Sequence, residues 1–215
     1  MSTTSETPPV QPADAQPAAI VLAGGRASRL GGAAKPLLEV DGRPLLEHAV
    51  VALADCEPVV VVGPRMPVGG HVVWTQETPA FGGPVAGIAA GLALVDSAEV
   101  YVLAADLPNA VAAVALLRQH PPLSENQDGL CLADASGRMQ WLTGRYRVDA
   151  LRTALTRLPD AGRDASARAL LGGLAIGVVP AGDLATDVDT WDDLERARTT
   201  MAQRAPRDDA PEETT

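Results

Sequence analysis

One fourteen-residue stretch, Leu22-Ala-Gly-Gly-Arg-Ala-Ser-Arg-Leu-Gly-Gly-Ala-Ala-Lys35, holds the residue types that handle phosphate. Gly24 and Gly25 follow a short apolar run. Glycine at such a place lets backbone N–H groups approach phosphate oxygens with no Cβ in the way. Arg29 and Lys35 can then neutralise a triphosphate and the charge that develops as it is attacked. The spacing is neither GxxxxGKS/T nor GxGxxG, so the two common phosphate-loop fingerprints are excluded. Of 17 basic residues, 16 are arginine and Lys35 is the sole lysine. A compact ammonium suits a phosphate that a planar fork would crowd. The competing reading is a glycine-rich turn between strand and helix, carrying solvated basic residues.

Other candidates lie further along. Asp106 comes just after the apolar run Val100–Ala104, where a rigid strand would hold it facing a ligand. A hard cation favours carboxylate oxygen combined with substrate phosphate; the alternative is a cap for a helix starting at Pro108–Ala110. Gly82-Gly-Pro-Val-Ala-Gly87, with Gly83 inside it, puts small residues at a helix entrance. That suits close backbone approach to a base or ribose, or else tight helix–sheet packing. Asp187 and Asp189 sit on an extended segment and are expected on opposite sides of it. Asp189 could supply a second metal carboxylate, with helix capping before Asp192 as the competing role. His48, His71 and His120 show no metal spacing and read as surface or packing residues; Trp74, Trp141 and Trp191 read as core. Cys56 and Cys131 stand apart from any CxxC, which favours buried thiols in a reducing cytosol over a single disulfide.

The elements that must position these residues follow from patterning. Ala18–Ala23, Pro58–Val62, His71–Thr75, Val100–Ala104, Leu130–Ala133, Leu142–Tyr146 and Leu174–Val179 read as strands. Helices are expected over Pro44–Ala54, Pro84–Val95, Ala110–Gln119, Val148–Leu158 and Trp191–Gln203. Strands alternating with helices give an α/β fold with a single doubly wound, mostly parallel sheet, whose ligands bind beyond the carboxyl ends of the strands. Residues 18–203 form one domain in this reading, flanked by disordered tails at 1–17 and 204–215 that are poor in large apolar residues. The chain is 47% hydrophobic with a formal charge of −10, and the acidic balance argues against nucleic-acid binding. No run approaches the roughly 18 apolar residues of a membrane span, and no basic n-region or apolar h-region precedes Arg26, so a cytoplasmic protein is expected.

The run Val21-Leu-Ala-Gly-Gly-x-x-x-Arg-Leu-Gly-x-x-x-Lys-Pro-Leu-Leu-x-x-x-Gly-x-Pro-Leu45 resembles the signature of the molybdenum cofactor guanylyltransferases, within the MobA-like nucleotidyltransferase superfamily. Gly83-Pro-Val-Ala-Gly-Ile88, Ala104-Ala-Asp-Leu-Pro108, Gln140-Trp-Leu-Thr-Gly-Arg-Tyr146 and Asp187-Val-Asp-Thr-Trp-Asp-Asp-Leu194 continue it in the family's order, covering about residues 18–200. The resemblance implies transfer of GMP from GTP to molybdopterin with release of pyrophosphate. It implies that Leu22, Ala23, Gly24 and Gly25 hold the nucleotide, that Lys35 contacts phosphate, and that Asp106 binds Mg²⁺. A molybdoenzyme or an insertion chaperone would be the recipient of the product. Three positions depart from the family pattern. Ala34 stands where an Asp commonly precedes the loop lysine. Asp187 and Asp189 replace asparagines, and Trp191 follows Thr190 where proline is usual. The acidic residue that helps choose guanine has Glu77 as its nearest match. Rival readings are a sister enzyme using CTP or another phosphorylated acceptor, and a catalytically silent nucleotide-binding protein.

Overall fold

The computed structural model describes residues 16–25 and 34–204. Arg29 and almost all of both tails lie outside the described residues. Strand β1 (Ala18–Leu22) is built from small and branched apolar residues, buried along its length except for a half-exposed last residue. It is central because nothing polar on either face resists covering. Parallel neighbours are β4 (Val59–Val62) on one side and β6 (Glu99–Ala104) on the other. β5 (Val73–Thr75) extends the first side. On the second side, β8 (Met139–Arg147) pairs antiparallel with β6 and with β7 (Gly129–Ala133), which pairs parallel with β9 (Ile176–Pro180). The order β5-β4-β1-β6-β8-β7-β9 makes one mostly parallel seven-stranded sheet, as expected. Successive connections leave β1 in opposite directions, so the crevice at the carboxyl ends of β1 and β6 is the topological switch point.

Alternation divides the core. Ala19, Val21, Val59, Val61, Tyr101 and Leu103 face one side of the sheet, packed with α1 (Leu45–Ala52) and α3 (Ala110–Gln119). Ala18, Ile20, Val60, Val62, Val100 and Val102 face the other, with α2 (Gly83–Leu92), α4 (Val148–Leu155) and α5 (Ala167–Leu171). Burial on both faces explains why these strands read as continuous apolar runs.

A third, smaller cluster matters for the site. The chain after Lys35 forms a two-stranded hairpin, β2 (Glu39–Val40) with β3 (Arg43–Pro44), which the sequence reading did not foresee. Val40 and Leu45 pack there on Val188 and on Leu194 of α6 (Trp191–Arg204). Pro44 ends the hairpin, and the helix starts at Leu45, whose N–H donates to Leu38 O at 2.9 Å. α4 stops at Leu155 instead of Leu158, and a 3-10 turn beginning with Pro159 follows. Trp191 is 50% exposed at the start of α6, contrary to its expected place in the core, whereas Trp74 and Trp141 are half-buried against it. Both cysteines are buried and free. No helix among the described residues is long and apolar enough to cross a membrane.

Candidate functional site

The ends of β1, β4 and β6 are tied together before the site begins. Ala23 N–H donates to Val62 O at 2.8 Å, and Ala105 N–H to Leu22 O at 3.0 Å. The chain then leaves β1 through Gly24 and Gly25. Gly25 has φ +145°, which a residue with a side chain rarely adopts, and an added Cβ would meet nothing within 4 Å. The floor beside the loop is set by Gly63, whose Cβ would lie 2.9 Å from Ala23 C and Gly24 N. Gly63 follows the buried run of β4 just as the loop follows β1, a signal present in the sequence but not taken up.

Two overlapping cavities, of about 320 and 540 Å³, open at this crevice. Both are lined by Leu22, Gly24, Gly25, Glu77, Phe81 and Asp106; Ala23 and Lys35 line the first, Gly83 the second. A further cavity of about 220 Å³ lies against Asp106 from the side of β8, lined by Arg138, Gln140, Trp141, Thr143 and Asp187. Asp106 therefore stands between two spaces. In the Gly82–Gly87 stretch the glycines divide between cavity wall and packing. Gly83 lines the cavity, while Gly87 is a packing residue whose Cβ would press to 3.1 Å from Leu22 Cδ2.

Asp106 is not a helix cap, since Asn109 occupies that position in α3 and makes no capping side-chain bond. Instead Lys35 Nζ pairs with Asp106 Oδ2 at 2.6 Å and Asp189 Oδ1 at 2.8 Å. Partial burial of the ammonium lowers its pKa. The charges and hydrogen bonds of Asp106 and Asp189 outweigh that and leave it raised above 10.5. Asp106 Oδ1 is buried with no hydrogen-bond partner among the described residues.

Asp187 completes the cluster. Val188 N–H donates to Asp106 O at 3.0 Å, which draws the 187–189 segment against the end of β6. Carboxylate oxygens of Asp106, Asp187 and Asp189 then lie within 4.8 Å of one another. The expectation that Asp187 and Asp189 face opposite sides is overturned: residues two apart on an extended chain share a side. Burial of the Asp187 carboxyl, then the charges of Asp106 and Asp189, raise its pKa. Capping of α6 falls to other residues. Asp193 Oδ2 accepts from Thr190 N–H at 2.7 Å, and Thr190 Oγ1 accepts from Asp193 N–H at 3.2 Å, a reciprocal box.

A hard divalent cation fits this donor set, because three carboxylates converge and one buried oxygen lacks a partner. Residues 19–176 match the model of the MobA-like NTP transferase domain. The chain belongs to that family. Nucleotidyltransferases of this family generally use a divalent metal. The chain is 36% identical over 96 residues to a molybdenum cofactor guanylyltransferase of Vibrio cholerae, covering 43% of this chain and 46% of that protein. It is 44% identical over 78 residues to one of Bradyrhizobium sp., covering 34% and 37%. The chain thus spans less than half the length of these curated relatives. Among solved structures, molybdopterin-guanine dinucleotide biosynthesis protein A of Archaeoglobus fulgidus superposes with a TM-score of 0.61 at 19% identity, covering 86% of this chain and 98% of that one. The 2-C-methyl-D-erythritol 4-phosphate cytidylyltransferase of Thermus thermophilus superposes at 0.65 and 20%, covering 87% and 99%. At those identities the likeness speaks for the fold alone. The family match ends before Asp187, so two of the three clustered carboxylates lie beyond it.

Proposed function

We propose that residues 18–203 act as a cytoplasmic nucleotidyltransferase that moves GMP from GTP to the terminal phosphate of molybdopterin and releases pyrophosphate. The observation that carries this reading is Lys35 held on Asp106 and Asp189 at the foot of the glycine loop, where two cavities meet. The amides around Gly24 and Gly25 face the triphosphate, with Arg29 as a further cation from the same loop. Asp106, Asp187 and Asp189 would hold Mg²⁺, which would supply neutralisation of the charge that develops on the phosphates. An acceptor phosphate oxygen attacks the α-phosphorus, the bond to the bridging oxygen breaks, and pyrophosphate leaves. That oxygen is already anionic, so the site needs no strong general base. The chain's work is orientation and neutralisation. Lys35 gives up its carboxylates to follow the phosphates, since a flexible ammonium with three donors can turn between them. Glu77, at the wall of the donor cavity, reads the base edge. The cavity lined by Arg138, Gln140 and Trp141 takes the acceptor from the other side of Asp106. Buried free thiols suit a reducing cytoplasm. The product goes to a molybdoenzyme or its insertion chaperone.

The acidic pair Asp187 and Asp189 favours one second reading: the same chemistry with CTP, or with another phosphorylated acceptor. Pyrophosphate release with Mg²⁺ and each nucleoside triphosphate, with and without molybdopterin, decides between them. Release with GTP only when molybdopterin is present is the expected result. Release with CTP selects the second reading, and silence with every triphosphate overturns both.

A further inference from the structure

We propose that Phe81 is the platform on which the base of the nucleoside triphosphate stacks, an inference that rests on the nucleotidyltransferase reading above. Phe81 is the only phenylalanine in the chain, and aromatic residues make up just 3% of it. Its side chain gains little from the core, since 53% of the residue is exposed. Its backbone has φ +63°, a left-handed conformation disfavoured for a bulky side chain. Two glycines follow directly, Gly82 and Gly83, and either type would take that conformation without strain. Folding economy therefore argues for glycine at position 81, yet the chain carries a large ring. Strained non-glycine residues persist where their surroundings over-determine them, and they concentrate at ligand sites.

The surroundings do fix this one. Phe81 N–H donates to Glu77 Oε1 at 2.9 Å, and Asp164 N–H donates to Gly82 O at 2.7 Å. Gly82 is itself buried, with no room for a Cβ, which would lie 2.9 Å from Ala86 Cβ. Phe81 is thereby placed on the wall of both cavities at the crevice, which Gly24 and Gly25 also line. An exposed ring in the same cavities as the glycine loop suits a planar heterocycle, and stacking of this kind tolerates every base because each has a π-face. Base choice then belongs to an edge contact. Glu77 accepts the Phe81 N–H with one oxygen, and a carboxylate retains further acceptor sites for ring N–H donors such as those of guanine. One hydrogen bond thus ties the residue that grips the base face to the residue that reads its edge.

Calorimetric titration of the full-length protein with GTP and with CTP, in Mg²⁺, tests this in the wild type and in Phe81→Ala, Phe81→Trp and Phe81→Gly. Phe81→Ala is expected to weaken GTP binding by about tenfold or more, within the range for loss of one base–aromatic stack, and to weaken CTP in the same direction. Phe81→Trp retains the wild-type affinity. Phe81→Gly binds as weakly as the alanine variant but melts at a higher temperature than wild type, because glycine accepts the left-handed backbone. A structural role alone predicts the opposite pairing, with affinity following stability. Should Phe81→Ala fail to fold, Phe81→Gly carries the same comparison. GTP affinity within twofold of wild type in either truncation overturns the proposal. A wild-type protein that binds no nucleoside triphosphate overturns the transferase reading itself.

Discussion

Replacing Lys35 by methionine keeps most of the side-chain length and removes the charge that now sits among three carboxylates. Lys35 Nζ lies 2.6 Å from Asp106 and 2.8 Å from Asp189, and the carboxylate oxygens of the cluster lie within 4.8 Å of one another. Two ionised carboxylates at that separation repel by about 3.5 kcal/mol at an effective dielectric near 20. Solvent reaches Asp189, which is 50% exposed, and screens the repulsion. That screening brings the net loss down to about 1–2 kcal/mol at neutral pH. A domain of this size then melts about 5 °C lower without metal. A divalent cation can replace the missing ammonium. At about 100 times its Kd it returns roughly 2.7 kcal/mol. Thermal melts across a Mg²⁺ titration, with no nucleotide present, should therefore show a larger rise for Lys35→Met than for wild type, and calorimetry should show tighter Mg²⁺ binding by the variant. Turnover should still fall about 100-fold, because no ammonium is left to follow the phosphates. Identical Mg²⁺ shifts in the two proteins would refute the reasoning.

Asp106→Asn should lower kcat/KM for pyrophosphate release by about 100-fold or more while moving Tm by only a few degrees; a loss under tenfold removes Asp106 from the site. Glu77→Gln keeps an acceptor for Phe81 N–H but loses the charge, so the GTP-to-CTP affinity ratio should fall by about tenfold with CTP binding little changed; an unchanged ratio assigns base choice elsewhere. Burial, with help from Asp55 at Cys56, pushes both thiols from 9.0 up to about 11. The unfolded chain therefore releases these protons first. About 2–3 kcal/mol of stability per thiol is fully present below pH 9 and is lost between about pH 9 and 11. Urea midpoints in reducing buffer measure the decline, which should be shallower in Cys131→Ala; equal slopes count against it.

The glycine-loop side of the candidate site is legible in the sequence as far as its placement goes, because each of its parts has a local signature. A fully apolar run marks β1, the paired glycines mark its exit, and Asp106 follows β6 directly. Lys35 stood out by composition alone. The rest depends on contacts between distant segments. Nothing local announces that Val188 donates to the Asp106 carbonyl, and that bond is what brings Asp187 into the cluster. Two-residue strands such as Glu39–Val40 are too short for alternation to register. The period of two of an extended chain places Asp187 on the same side as Asp189. The pairing of Thr190 with Asp193 was also visible as a capping box, and it removes Asp189 from that role. Phe81 carries no periodic signal, because its distinguishing property is a backbone angle.

Lys35 and Asp189 are brought together by the small cluster of Val40, Leu45, Val188 and Leu194, whereas Asp106 rides on the central sheet. The cooperative unit that holds half of the charged constellation is thus much the thinner of the two. Sub-global opening of the hairpin and α6 would take Lys35 and Asp189 away while every central strand stayed paired. Amides of α6 should accordingly exchange with solvent well before those of β1, and nucleotide with metal should slow that exchange. Competence for chemistry would then follow the free energy of this local closure rather than that of global folding. Substitutions such as Leu194→Ala would silence the protein at temperatures where its circular dichroism still looks native.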